Sequence, residues 1–162
     1  MTETYSNADT LRILRSVKTI AMVGASAKWQ RPSYFVMKYM QAKGYRVIPV
    51  NPGLAGQEIL GETVYGSLAD VPGPYEMVDV FRNSEAALGV TQETVALAEE
   101  KGIEVVWMQL GVMNDEAAAL ARGAGLEVVM DRCPKIEFGR LNAELSWGGF
   151  DSGVISARRR RV

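Results

Sequence analysis

The chain has 162 residues, 48% of them hydrophobic, with 16 glycines, 6 prolines and a formal net charge of -1, a length and balance that suit one domain able to bury a proper core. It contains no histidine and one cysteine, Cys133, which excludes a Ser-His-Asp triad, a Cys-His pair, histidine metal ligation, a phosphohistidine and an internal disulfide. No run approaches the ~18 apolar residues of a membrane helix, and the first residues lack a signal peptide's charged head and apolar stretch, so a cytoplasmic, reducing setting is expected.

Short apolar runs alternate with helical patterns along the chain, the signature of successive βαβ units and a parallel sheet. The first strand is predicted over 19–23. A helix should begin at Pro32 and Ser33, because proline suits a first helical turn, and stop at Gly44 as a left-handed cap, with Val36, Met37 and Met40 facing the sheet. The second strand is predicted over 45–50. After it comes "NPGLAGQEILGETVYGSLADVPGPYE", rich in Gly and Pro where a crossover helix is expected; a short strand about 62–65 and a helical turn about 67–70 are predicted there instead. The third strand spans 77–81. Beyond it Leu88, Thr91, Val95 and Ala98 share one helical face, and Gly102 ends the run. The fourth strand covers 103–108. Asn114 should cap the next helix, with Asp115 and Glu116 at its positive end and Ala117, Leu120 and Ala121 packing inward. The fifth strand covers 126–130. The expected fold is α/β: a Rossmann-like doubly wound, mainly five-stranded parallel sheet with helices on both faces. A single domain over 1–162 is expected, its core about 11–145, with a flexible basic tail over about 156–162.

Charge is unevenly placed. No acidic residue lies between Asp9 and Glu58, an interval that holds Arg12, Arg15, Lys18, Lys28, Arg31, Lys38, Lys43 and Arg46. Ligands of open α/β sheets sit beyond the carboxyl ends of the strands. Those positions are Gly24 to Ser33, Asn51 with Pro52, Arg82 with Asn83, Gln109 to Gly111, and Asp131 to Cys133. Lys28, Arg31, Arg82 and Arg132 are expected to converge there on an anion.

The first loop lacks the Gly-x-Gly-x-x-Gly of dinucleotide sites, since Gly24 is followed by Ala25, Ser26, Ala27 and Lys28. A helix start carrying the Ser33 hydroxyl beside Lys28 and Arg31 nevertheless suits a diphosphate. The second strand ends in Val50, Asn51 and Pro52, without the acid that bonds the ribose hydroxyls of NAD. A carboxylate there would repel a phosphorylated ribose, so its absence favours NADP or coenzyme A.

The segments "VGAS...RPSY", "GYRVIPVNP", "EILGETVYGSL", "VDVFR", "VVWMQLGV" and "DRCPKIEFGRL" follow one another in an order and spacing that resembles the small bacterial CoA-binding proteins, a family similar to the N-terminal CoA-binding domain of the succinyl-CoA synthetase alpha subunit. The likeness covers about 11–141 and the later "WGGFDSGVIS". It implies coenzyme A as cofactor, held by Gly24, Ala25, Ser26, Lys28, Arg31, Pro32 and Ser33 in the first loop, by Asn51 and Pro52, by Phe81 and Arg82, and by Gln109, Leu110 and Gly111. It also implies a stand-alone CoA or acyl-CoA binding protein: a sensor, carrier or regulatory subunit, alone, with a protein partner or as a homo-oligomer. The synthetase reaction needs a phosphorylated histidine in a second domain and a partner subunit, and this chain has no histidine; no ligase activity of its own is expected.

Two other readings stay open. One is an NADP-linked oxidoreductase with Tyr34 or Lys28 as proton donor. The other is an interaction module that contacts phosphates through "ARRRRV", although no aromatic side chain is interleaved there for stacking on nucleic acid bases. Cys133 is either a small buried hydrophobe or, favoured by Arg132 and Lys135, a thiol able to exchange with a CoA disulfide. Asp79 and Asp131 are expected to pair with arginines such as Arg82 or Arg132.

Overall fold

A computed structural model describes residues 5–147, with side chains described through Asn142. The basic tail expected over 156–162 and the "WGGFDSGVIS" segment beyond Trp147 lie outside the described residues. The elements in chain order are α1 (Asn7–Ser16), β1 (Thr19–Val23), α2 (Pro32–Ala42), β2 (Arg46–Val50), β3 (Glu58–Ile59), β4 (Glu62–Thr63), β5 (Met77–Val80), α3 (Ser84–Lys101), β6 (Val105–Met108), α4 (Asp115–Gly123), β7 (Glu127–Val129) and α5 (Pro134–Trp147). Five strands form one parallel sheet in the order β2-β1-β5-β6-β7, a doubly wound arrangement.

The strands form where the chain is almost wholly apolar, as a sheet covered on both faces requires. Alternate side chains go to opposite layers. Ile20, Met22, Val47, Met77, Trp107 and Val129 pack with Ile13, Leu14, Val36, Met37, Met40 and Phe138 of α1, α2 and α5. Ala21, Val23, Ile48, Val78, Val106 and Met108 pack with Ala87, Val90, Ala117, Ala118 and Ala121 of α3 and α4. Helix boundaries follow local chemistry. Pro32 opens α2, and Gly44 leaves it at φ 100°. Asn83 and Asn114 accept the N–H of Ala86 and Ala117 at 2.8 Å, and Gly102 closes α3 in the left-handed region.

The segment between β2 and β5 replaces a crossover helix with the β3–β4 antiparallel hairpin, a bridge from Val50 to Tyr65 and a 3₁₀ turn over Leu68–Asp70. The strand and turn expected there are present, slightly displaced. Leu120 does not pack inward; it is 37% exposed, and Ala118 takes its place beside Ala117 and Ala121. At 3.6 residues per turn the three alanines centre an arc from which Leu120 points roughly 110° away. Helices α1 and α5 add to the elements expected from the sequence.

The chain leaves β1 through α2 to reach β2 on one side, then returns across β1 to β5 on the other. The carboxyl ends of β1 and β5 therefore flank the point where connections diverge to opposite sides.

Candidate functional site

At that divergence the first loop is pressed against the end of β5. Gly24 has φ 90°, and a Cβ added to it would lie 2.2 Å from the Phe81 carbonyl oxygen and 3.2 Å from Cδ of Arg82. Only glycine fits, because the backbone conformation and the approaching carbonyl both exclude a side chain. The Gly24 and Ala25 N–H groups donate to the Val50 carbonyl at 3.0 and 3.4 Å, fixing the loop to β2 as well. Asn51 completes the tie: its Nδ2 donates to the Ala25 carbonyl at 2.8 Å while its Oδ1 accepts the Gly53 N–H at 2.8 Å. Gly24, Ala25, Asn51, Phe81 and Arg82 are thus brought together. Pro52 begins a short exposed 3₁₀ turn beside them.

The remainder of the loop curls into α2. Ser26 Oγ accepts the Lys28 N–H at 3.1 Å, and the Lys28 carbonyl accepts the Arg31 N–H at 3.0 Å. Arg31 is the N-cap of α2 but makes no capping bond with its side chain, and Pro32 has no N–H, so Ser33 carries the first main-chain donor of the helix. Ser33 is buried, whereas Lys28, Arg31 and Arg82 are exposed and form no ion pair with a described residue. Lys28 and Arg31 thus precede the helix amino end, where the dipole adds about half a positive charge, and Arg82 lies beside Gly24.

The turn after β6 completes the rim. The Gln109 N–H donates to the Val80 carbonyl at 3.2 Å, and the side chain is buried with Oε1 lacking a partner. Leu110 is 59% exposed. Gly111, at φ 87°, donates its N–H to Asp131 Oδ1 at 2.8 Å. Ser84 laces this turn to the start of α3, its Oγ accepting the Met113 N–H at 3.0 Å and its carbonyl accepting from Asn114 Nδ2 at 3.0 Å.

Arg132 does not join the cationic group. Its Nη1 donates to the Asp131 carbonyl at 2.8 Å, its guanidinium pairs with the Asp131 carboxylate at 4.0 Å, and it lies 5.4 Å from the centre of the Tyr5 ring. It is held at β7, the far edge of the sheet from β1. Asp131 has the arginine expected of it; Asp79 has none. Asp79 is 1% exposed, between Met22 and Trp107 in register, and its Oδ1 has no partner. Burial pushes its carboxyl well above the usual carboxylate range. Cys133 is buried at 6% exposure in the layer of Met22 and Trp107, and the neighbouring Lys135 ammonium sits 5.0 Å from the Tyr39 ring centre.

Sequence reasoning passed over Trp29. Its indole is 69% exposed between Lys28 and Arg31, and Phe35, one turn into α2, is 48% exposed. An aromatic residue between two loop cations was the signal available. Chemically, this edge offers main-chain donors, exposed cations and apolar surface to an elongated anion. Among the described residues no group of three His, Cys, Asp or Glu could hold a metal ion, and no helix is long and apolar enough to cross a membrane.

Residues 18–139 match a family model described as a CoA binding domain. The chain is 40% identical over 131 residues to the uncharacterized protein YneT of Bacillus subtilis (strain 168), covering 81% of this chain and 93% of that one. A hypothetical protein from Pyrococcus horikoshii OT3 superposes with a TM-score of 0.78 at 38% identity, covering 87% of this chain and 99% of that one. The Thermus thermophilus protein named cell-free ID.343 gives 0.78 at 36% identity, with 85% and 99% covered.

Proposed function

Because the chain belongs to the CoA-binding domain family, we propose that it acts by holding coenzyme A or an acyl-CoA along the carboxyl edge of the sheet, as a sensor, carrier or regulatory subunit. The observation that carries this reading is the contact of Gly24 with Phe81 and Arg82 at the divergence point, with Lys28, Arg31 and Arg82 exposed and in no ion pair with a described residue. In this reading the diphosphate lies at the start of α2, against Ser33, Lys28 and Arg31. The phosphorylated ribose follows Asn51 and Pro52, where no acid stands to repel it, and the pantetheine arm crosses Phe81 and Arg82 toward Gln109, Leu110 and Gly111. Ala25, Ser26 and Pro32 shape the loop that receives the phosphates.

Calorimetric titration with CoA, dephospho-CoA, NADP and NAD tests the assignment. CoA should bind most tightly and dephospho-CoA more weakly, because only CoA presents the ribose phosphate. Arg31→Ala should weaken CoA binding by about 1.5 to 3 kcal/mol, the scale of a hydrogen bond to a charged group, with unliganded stability nearly unchanged. Equal affinity for CoA and dephospho-CoA would remove the ribose-phosphate argument, and binding of NADP alone would replace the cofactor.

A further inference from the structure

The opposite edge of the sheet, where β1 and β2 begin, carries a cavity of about 200 Å³ at the meeting of α1, α5 and the C-terminal end of α2. Its floor is apolar: Leu14, Val17, Tyr45 and Phe138 are all at most 9% exposed. The floor is also fixed, since the Tyr45 hydroxyl donates to the Leu14 carbonyl and the Tyr45 and Phe138 rings meet edge to face at 5.9 Å. Arg15, Lys18 and Lys43 stand around its mouth, and no acidic side chain among the described residues lines it.

The state of these cations separates them from ordinary surface charge. Elsewhere Arg12 pairs with Glu127 at 2.6 Å, Arg46 with Glu62 at 3.3 Å and Arg140 with Glu137 at 2.7 Å. Arg15 and Lys18 form no ion pair with a described residue, and the Lys43 ammonium lies 5.3 Å from the Tyr39 ring centre. The neighbouring acid, Glu76, accepts the Lys18 and Thr19 N–H groups at 2.8 and 2.9 Å and offsets one of the three charges. The C-terminal ends of α1 and α2 also face this region, but each contributes only about half a negative charge. Three full cations outweigh them.

An apolar floor beneath a mouth of net positive charge matches a molecule with a short hydrocarbon body and one anionic end. We propose that this cavity is a second ligand site, for an aliphatic monocarboxylate whose tail packs on Leu14, Tyr45 and Phe138 and whose carboxylate meets Arg15 and Lys18. The site is independent of the CoA reading, because it lies at the other end of the strands and shares no residue with the rim.

Titration of the full chain with hexanoate, butyrate, acetate and hexan-1-ol, followed by amide NMR shifts, tests it. Hexanoate should bind saturably, with shifts centred on Leu14, Lys18 and Tyr45, and affinity should rise about fourfold for each added methylene. Hexan-1-ol, which lacks the charge, and acetate, which lacks the tail, should each bind at least about tenfold more weakly. The double variant Arg15→Gln, Lys18→Gln should lose at least about tenfold in hexanoate affinity with an unchanged thermal midpoint, and Lys43→Gln should lose less. Arg31→Ala should leave hexanoate binding intact. Equal binding of hexan-1-ol, absence of saturation, or full affinity in the folded double variant would overturn the proposal, whatever the outcome of the CoA titrations.

Discussion

Asp79 is held where a carboxylate is poorly solvated and has no cation beside it. Its native value lies above the ordinary 3.8, so the folded state holds a proton that the unfolded chain releases at lower pH. The contribution of Asp79 to stability is then most favourable below 3.8, falls as pH rises from there through the native value, and levels off above it. Asp79→Asn, which cannot ionise, should flatten that fall: urea denaturation should find it more stable than wild type at neutral pH, with the gap closing in acid. A gap independent of pH would show that ionisation of Asp79 carries no cost. The arginine partner expected from sequence fails here because strand alternation places Asp79 in the layer of Met22 and Trp107, while Arg82 lies beyond the strand, beside Gly24. Gly24 itself was legible as a turn glycine, but the reason for it was not. Its constraint comes from the Phe81 carbonyl, far away in sequence. Gly24→Ala should cost at least about 2 kcal/mol in stability, combining the left-handed backbone with a clash against main chain, as chemical denaturation will measure; a neutral substitution would mean that the loop and β5 separate easily.

The five strands of the sheet were legible because each is a short apolar run, and α2, α3 and α4 because proline, asparagine or glycine marks their ends. Helices α1 and α5 were harder for opposite reasons. In α1 only Thr10, Ile13 and Leu14 are buried, too sparse a stripe to stand out from its charged neighbours. In α5 the interior Gly139 reads as a break, yet it lies inside the helix, and a Cβ there would meet the Tyr39 hydroxyl of α2 at 3.4 Å, close to ordinary van der Waals contact. The connection between elements that matters most for the rim is Asn51, which links the end of β2 to the first loop through one donated and one accepted bond. Asn51→Asp separates the two. The carboxylate still accepts from Gly53 but cannot donate to Ala25, so the turn should survive while the loop loosens. We expect a loss of about 1 kcal/mol in stability, the net worth of one hydrogen bond, with a larger loss in CoA affinity, because the loosened loop and the new carboxylate beside the ribose phosphate both act against binding. Unchanged affinity alongside that loss would show that the loop needs no anchoring at β2 to receive its ligand.

At the scale of the whole molecule, strand order decides which sequence-adjacent hints become neighbours. Every strand end was a candidate in the sequence, but the order β2-β1-β5-β6-β7 sets the loops after β1, β2, β5 and β6 side by side and leaves Arg132 at the far edge, bound to Asp131 and Tyr5. Order cannot be read from apolar runs alone, which is why Arg132 was expected among cations that it does not join. The chemistry available to that rim is limited in kind. Forming a thioester at the expense of a nucleotide needs an activated acyl phosphate and a group to relay the phosphoryl, and in the synthetases that this chain resembles a histidine performs the relay. The chain has no histidine, and its one cysteine is buried. Purified chain given CoA, succinate or acetate, and ATP or GTP should therefore release no phosphate and form no thioester, while still binding CoA. Both products are to be followed together, since phosphate release alone could reflect a trace contaminant. Sustained formation of thioester that is abolished by Arg31→Ala would show that the rim performs the transfer itself by a route without histidine, and would make the protein an enzyme rather than a holder of its cofactor.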